Sequence, residues 1–240
     1  MLLYIIRHGD PVYETDSLTE KGKRQAAALA KRLAGTGIGK IYSSSAGRAR
    51  ETARPACELL GLDCLIEDWM NEAYAWREFT LEDGRGNRAW VFDALKNTQF
   101  KTDEIIALGE KWYEAKYFAS SGAKEGYARI RRCSDDFLAR LGFVREGRVY
   151  KIADKAAAAD AVRAAVFCHQ GFGLVWLSYL LAIPPHLFWP NFDVTHAALT
   201  VLEFKDSEDG YTAPKCLCLS DTSHIYEAGL PMLYNNVILF

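Results

Sequence analysis

The 240-residue sequence lacks an excess of charge of either sign: 29 Lys and Arg stand against 31 Asp and Glu, a formal net charge of -2. A nucleic-acid surface carries clustered basic charge, so this balance argues against such a partner while leaving room for a local anion pocket. Paired cysteine spacing is also missing. Cys57, Cys64, Cys133, Cys168, Cys216 and Cys218 form no Cys-x-x-Cys pair, so reduced thiols in a cytoplasmic protein are expected. Cys216 and Cys218 would share a strand face, but no second pair completes a metal site. Long apolar runs are few. Leu2 to Ile6 is too short for a signal-peptide core and has no basic flank. Ala164 to Phe192 carries no Lys, Arg, Asp or Glu, yet Cys168-His169-Gln170-Gly171 and Pro184-Pro185 divide it. It reads as a buried strand and helix, not as a membrane span of about 20 residues.

What is present is a strand–helix rhythm. Leu2-Leu3-Tyr4-Ile5-Ile6 has the unbroken apolar character of a strand buried on both faces. Ser17-Leu18-Thr19-Glu20 has the form of a capping box, and Ala26, Leu29, Ala30 and Leu33 follow at helical spacing up to Gly35. Lys40 to Tyr42, a helix from about Gly47 to Leu60, and Leu62 to Ile66 complete a strand–helix–strand–helix–strand series. That series indicates an α/β sheet with parallel neighbours. Trp69 to about Tyr127 breaks the rhythm, without clear strand alternation, and reads as a mostly helical insertion in a single domain spanning 1–240. A helix through Ile130, Phe137 and Leu138, a strand at Ala164 to Cys168, a helix at Leu174 to Leu181, and strands at Ala197 to Phe204 and Lys215 to Leu219 are expected after it.

Two histidines end apolar strands. His8 follows Leu2 to Ile6 within Arg7-His8-Gly9, and His169 follows Ala165-Val166-Phe167. Open α/β sheets place their ligand crevice at such strand ends. Taken alone, either histidine could equally be structural. Arg7 is harder to dismiss, because an arginine delivered by a buried strand needs an anion or carboxylate partner. Gly9 would let backbone approach a ligand closely. The helix after His169 would turn free N–H groups toward an anion. Arg48 lies in the first turns of a helix, where a cation is mildly unfavourable, so it too suggests an anion, with Glu51 or Glu58 as the alternative partner.

The ordered set resembles the histidine phosphatase superfamily: Arg7-His8-Gly9, Leu18-Thr19-Glu20-Lys21-Gly22, Tyr42-Ser43-Ser44 with Arg48-Ala49 and Thr52-Ala53, Glu72, and His169. Thr222-Ser223-His224 also looks like a segment of that superfamily. The resemblance implies a three-layer α/β/α sandwich with a mostly parallel central sheet, of phosphoglycerate mutase-like type. It implies that His8 becomes phosphorylated and that Arg7, Arg48 and His169 hold the phosphoryl oxygens. Glu72 would be the general acid, with Glu67, Asp68, Glu78 and Glu82 as nearby competitors. The same arginines would keep Glu72 ionised until substrate binds. No metal and no cofactor is called for.

The residues after Arg7-His8-Gly9 set the expected reaction. Mutases of this superfamily typically continue into Glu-Ser with a nearby Trp-Asn, whereas here Asp10-Pro11-Val12-Tyr13 follows. The expectation is therefore a phosphatase, a phosphomonoesterase of the histidine acid phosphatase type, that hydrolyses a small phosphomonoester through a phosphohistidine on His8. The alternatives are a cofactor-dependent phosphoglycerate mutase and an inactive phospho-ligand-binding module. The expected partner is a small phosphorylated substrate, with no nucleic acid and no membrane, and the aromatics are compatible with a homodimer. Tyr74, Trp76 and Trp90 could wall the pocket or form the insertion's own core.

Overall fold

The computed structural model describes residues 1–82, 85–232 and 234. Six strands form the central sheet: β1 (Leu2–Arg7), β2 (Lys40–Ser43), β3 (Cys64–Ile66), β4 (Arg163–Cys168), β5 (Leu199–Glu203) and β6 (Lys215–Asp221). Their spatial order is β6-β5-β1-β4-β2-β3. The β1/β4, β4/β2 and β2/β3 pairings are parallel, while β5 and β6 close one edge antiparallel.

Alternation along the strands builds the three layers. Tyr4 and Ile6 of β1, with Ala165 and Phe167 of β4, pack on Leu29, Leu33, Ala53 and Ala56 of α1 (Glu20–Ala34) and α2 (Gly47–Leu60). Leu3, Ile5, Ala164 and Val166 face the opposite way, toward α4 (Ala123–Arg140) and α5 (Gln170–Leu180). Side chains one residue apart on a strand point to opposite faces, so one apolar run serves two cores.

Local sequence explains most boundaries. Gly61 ends α2 in the left-handed conformation at φ 67°, as an αL cap requires. The expected capping box at Ser17 is not formed. Thr19 caps α1 instead, its hydroxyl accepting from Gly22 N–H, while Ser17 and Leu18 pair with Pro11 and Val12 in a short ladder. The apolar stretch from Ala164 lies inside the fold, with Phe172, Val175 and Trp176 fully buried. No helix among the described residues is long and apolar enough to cross a membrane.

Between β3 and α4 lie α3 (Glu72–Glu78) and further short helices. There is also one antiparallel ladder, Thr80–Glu82 with Arg88–Trp90, which the sequence reading lacks. Asp83 and Gly84 of this stretch lie outside the described residues. Trp112, Phe100 and Phe118 are buried here and gather around Trp189 from the far end of the chain. The hairpin Phe143–Glu146/Val149–Ile152 was also not anticipated, and Tyr211–Thr212 adds a third strand to it.

Candidate active site

The sheet register brings the two strand-end histidines together. Arg7 of β1 pairs with Cys168 of β4, so His8 and His169 sit side by side one residue beyond the ladder. His8 N–H donates to Cys168 O at 2.9 Å, and the two rings lie 5.2 Å apart edge to face. Both are buried.

The tautomer of His8 follows from its neighbour. Its Nδ1 lies 2.7 Å from Gly9 O, and a carbonyl only accepts, so Nδ1 carries the proton. Nε2 is left with its lone pair, and Arg48 Nε–H donates to it at 3.3 Å. Burial, then His169, Arg7 and Arg48, lower the His8 pKa well below the ordinary 6.5. The ring is therefore a neutral base at physiological pH.

Arg48 is fixed from the other side. Its Nη1 pairs with Asp16, whose second carboxylate oxygen accepts from Gly47 N–H at 2.6 Å at the start of α2. This replaces the partners read from the sequence: Glu51 accepts from Leu18 N–H, and Glu58 lies 3.9 Å from Arg54. Tyr13 lies beneath the Arg48 guanidinium, 5.5 Å from its ring centre.

Arg7 donates Nη1–H to Val194 O at 2.9 Å and Nη2–H to Nε2 of His196 at 2.8 Å. Since arginine has no acceptor, His196 must be neutral at Nε2. Burial and Arg7 lower its pKa to about 3. His196 stands 5.6 Å from the His8 ring, and the sequence reading missed it. It ends an irregular segment, Asn191 to Thr195, where no periodicity marks it.

His169 is the second strand-end histidine in full. Its Nε2 lies 2.8 Å from Ser44 Oγ. That hydroxyl also accepts from Ala46 N–H, so its own proton is free to point at His169. When Ser44 donates, the imidazole proton sits on Nδ1, which is buried and has no hydrogen-bond partner among the described residues. Burial, Arg48 and Arg7 keep this ring neutral too.

Glu72 opens α3, and both its oxygens are engaged. Oε1 accepts from Gly171 N–H and Oε2 from Phe172 N–H, each at 2.9 Å. The free N–H groups expected to face a ligand at the start of α5 are thus held by the protein's own carboxylate. Burial raises the Glu72 pKa, against the pull of those N–H groups and of Arg48 and Arg7. The arginines act on Glu72 in the expected direction, but desolvation is the larger effect. Three of its four competitors are spent elsewhere. Glu67 pairs with Arg140, Asp68 binds Ser45 and Tyr74, and Glu78 binds Arg129.

Arg7, His8, Arg48 and Glu72 line one cleft of about 830 Å³, together with Trp76 and Trp90. Tyr74 does not; its hydroxyl binds Asp68. Gly9 has a packing reason of its own, because a Cβ there would lie 2.8 Å from Gly22 O of α1. His224 of Thr222-Ser223-His224 donates Nε2–H to Ala197 O at 3.0 Å, and Ala197 N–H donates to His8 O. Among the described residues, no three His, Cys, Asp or Glu side chains are grouped to hold a metal.

A family model described as the histidine phosphatase superfamily (branch 1) matches residues 3–126. The chain is 34% identical over 79 residues to the "Probable phosphoglycerate mutase GpmB" of Cronobacter sakazakii, covering 29% of this chain and 37% of that protein. The Escherichia fergusonii counterpart is 35% identical over the same length. The chain thus spans little more than a third of the curated relatives it matches. The fold is that of a mycobacterial glucosyl-3-phosphoglycerate phosphatase solved with inorganic phosphate (TM-score 0.59, 21% identity, 93% of this chain and 98% of that one). It is equally that of an Entamoeba histolytica phosphoserine phosphatase solved with 3-phosphoglyceric acid (TM-score 0.59, 18% identity, 93% and 98%).

Proposed function

The chain belongs to the histidine phosphatase superfamily, and on that premise we propose that it hydrolyses a small phosphomonoester through a phosphohistidine on His8. One observation carries the reading. His8 Nδ1 is committed to Gly9 O, so Nε2 holds an available lone pair beside the Arg48 guanidinium.

In the first step Nε2 attacks phosphorus in line with the ester bond, the P–O bond breaks, and Glu72 gives its proton to the leaving oxygen. As substrate enters, Arg48 keeps its proton and redirects the Nε–H hydrogen bond from His8 Nε2 to a phosphoryl oxygen, freeing the lone pair. Arg7 and His169 Nδ1–H supply further donors around the same group, where phosphoryl transfer most needs positive charge. In the second step water attacks phosphorus, the N–P bond breaks, and the ionised Glu72 takes the water's proton. Phosphate leaves, and His8 and Glu72 are restored. The raised Glu72 pKa suits both roles, since an acid near its pKa can give a proton and recover one.

The names of similar proteins divide between phosphatases and phosphoglycerate mutases. The Asp10-Pro11-Val12-Tyr13 continuation supports the phosphatase. The test compares wild type with His8→Ala on 4-nitrophenyl phosphate without added metal: wild type should turn over and the variant should not. Equal turnover would contradict the reading. Efficient formation of 2-phosphoglycerate from 3-phosphoglycerate and 2,3-bisphosphoglycerate would show a mutase instead.

A further inference from the structure

The leaving-group side of the cleft is built from tryptophan. Trp76 follows Glu72 by four residues on α3, so the two side chains share one helix face, about 6 Å apart along the axis. Trp90 packs on the first turn of α5, close enough that a Cβ on Gly171 would lie 2.4 Å from its ring. That is the turn whose N–H groups hold Glu72. The two indoles meet edge to face at 4.9 Å, and Phe92 stacks behind Trp90 at 5.4 Å. Trp76 nevertheless keeps 37% of its surface exposed. Trp112 and Trp176 are fully buried, so this exposure is not the chain's ordinary treatment of tryptophan. An indole left open in a cleft, braced by a second aromatic and adjoining a carboxyl group, is a surface awaiting an apolar partner.

We propose that the site accepts phosphomonoesters whose leaving group carries a planar aromatic ring within a few bonds of the ester oxygen, with Trp76 and Trp90 as the specificity-determining residues. This rests on the phosphohydrolase reading of the same cleft. The ring lies against the exposed indole while the phosphoryl group reaches His8, and Glu72 stands between them at the ester oxygen. A compact polar alcohol such as serine leaves that wall wet and gains nothing from it.

The test uses two primary alkyl phosphates, 2-phenylethyl phosphate and O-phosphoserine, the second carrying an ammonium and a carboxylate where the first carries its ring. Wild type should show the lower KM for the ring ester. Trp76→Ala should shift the ratio of the two KM values about tenfold against it, more in KM than in kcat, and Trp76→Phe should recover most of the loss. A ratio unchanged in both Trp76→Ala and Trp90→Ala, or a wild-type preference for phosphoserine, overturns the proposal. Calorimetric binding of the inert 2-phenylethylphosphonate separates the two readings. Trp76-dependent binding without turnover of either ester contradicts the hydrolase and keeps the ring site. His8-dependent turnover with Trp76-independent binding does the reverse.

Discussion

Glu72 and Gly171, 99 residues apart in sequence, meet at 2.9 Å, carboxylate oxygen to backbone N–H, and the neighbouring Phe172 N–H holds the other oxygen. The carboxyl group is thereby aimed by the same helix start that follows His169. Glu72→Gln keeps the shape, but one of those N–H groups now faces an amide NH₂ that cannot accept. With 2-phenylethyl phosphate, kcat should fall about 10²–10⁴-fold, because the alkoxide leaves unprotonated. With 4-nitrophenyl phosphate the first step needs no acid, so stopped-flow absorbance should show a burst of about one equivalent followed by slow turnover. A first step slowed equally on both substrates, with no burst from 4-nitrophenyl phosphate, would assign Glu72 a purely structural role.

The pH dependence of activity follows from the same groups. His8 is held well below its ordinary 6.5, so lowering the pH through that value leaves the nucleophile neutral. Glu72 is raised above its ordinary 4.5, so the acid form persists to higher pH and is lost as pH rises through the raised value. The kcat/KM profile should therefore hold across mildly acidic pH and decline on the alkaline side. A decline on the acid side centred near the ordinary histidine value would contradict this.

Much of this was readable before the structure, and the failures have physical causes. The continuous runs at Leu2–Ile6 and Ala164–Cys168 are unambiguous because both faces of those strands are buried. Their ends carry His8 and His169, and the register places them adjacent. The Phe143–Ile152 hairpin was missed because Arg145, Glu146, Gly147 and Arg148 dominate it and only alternate residues such as Phe143 and Tyr150 are buried. Asp16, Tyr13 and His196 were missed because loops position them, and loops leave no period in the sequence. Asp16 adopts φ 49°, a conformation that neighbouring residues alone do not announce.

All five histidines are buried enough that desolvation is the first cause lowering their pKa. In the unfolded chain they titrate near 6.5, so below that pH the unfolded state binds more protons. The stability they contribute is present above about pH 6.5 and is lost progressively as pH falls below it. Urea midpoints should drop between about pH 7 and pH 5. His186 is 1% exposed and neither ring nitrogen has a hydrogen-bond partner among the described residues, so His186→Leu should make that drop shallower. An unchanged slope would contradict the assignment.

Gly22 lies where α1 passes the loop after His8, and a Cβ there would stand 2.2 Å from Asp10 O. The obstacle is backbone and cannot rotate away. Gly22→Ala should cost about 1–3 kcal/mol by overpacking, read as a lower urea midpoint, and should weaken activity by displacing the Arg7-His8-Gly9 turn. Gly35→Ala, where a Cβ meets nothing within 4 Å, serves as the control and should leave both nearly unchanged.

The covalent intermediate is the centre of the account. Glu72→Gln is mixed with 4-nitrophenyl phosphate, quenched in alkali, digested and examined by mass spectrometry. One added phosphoryl group on the peptide containing His8, stable to base and labile to acid, is the predicted result. A phosphoryl group on another residue, or none on a protein that has released its burst of nitrophenolate, would contradict it.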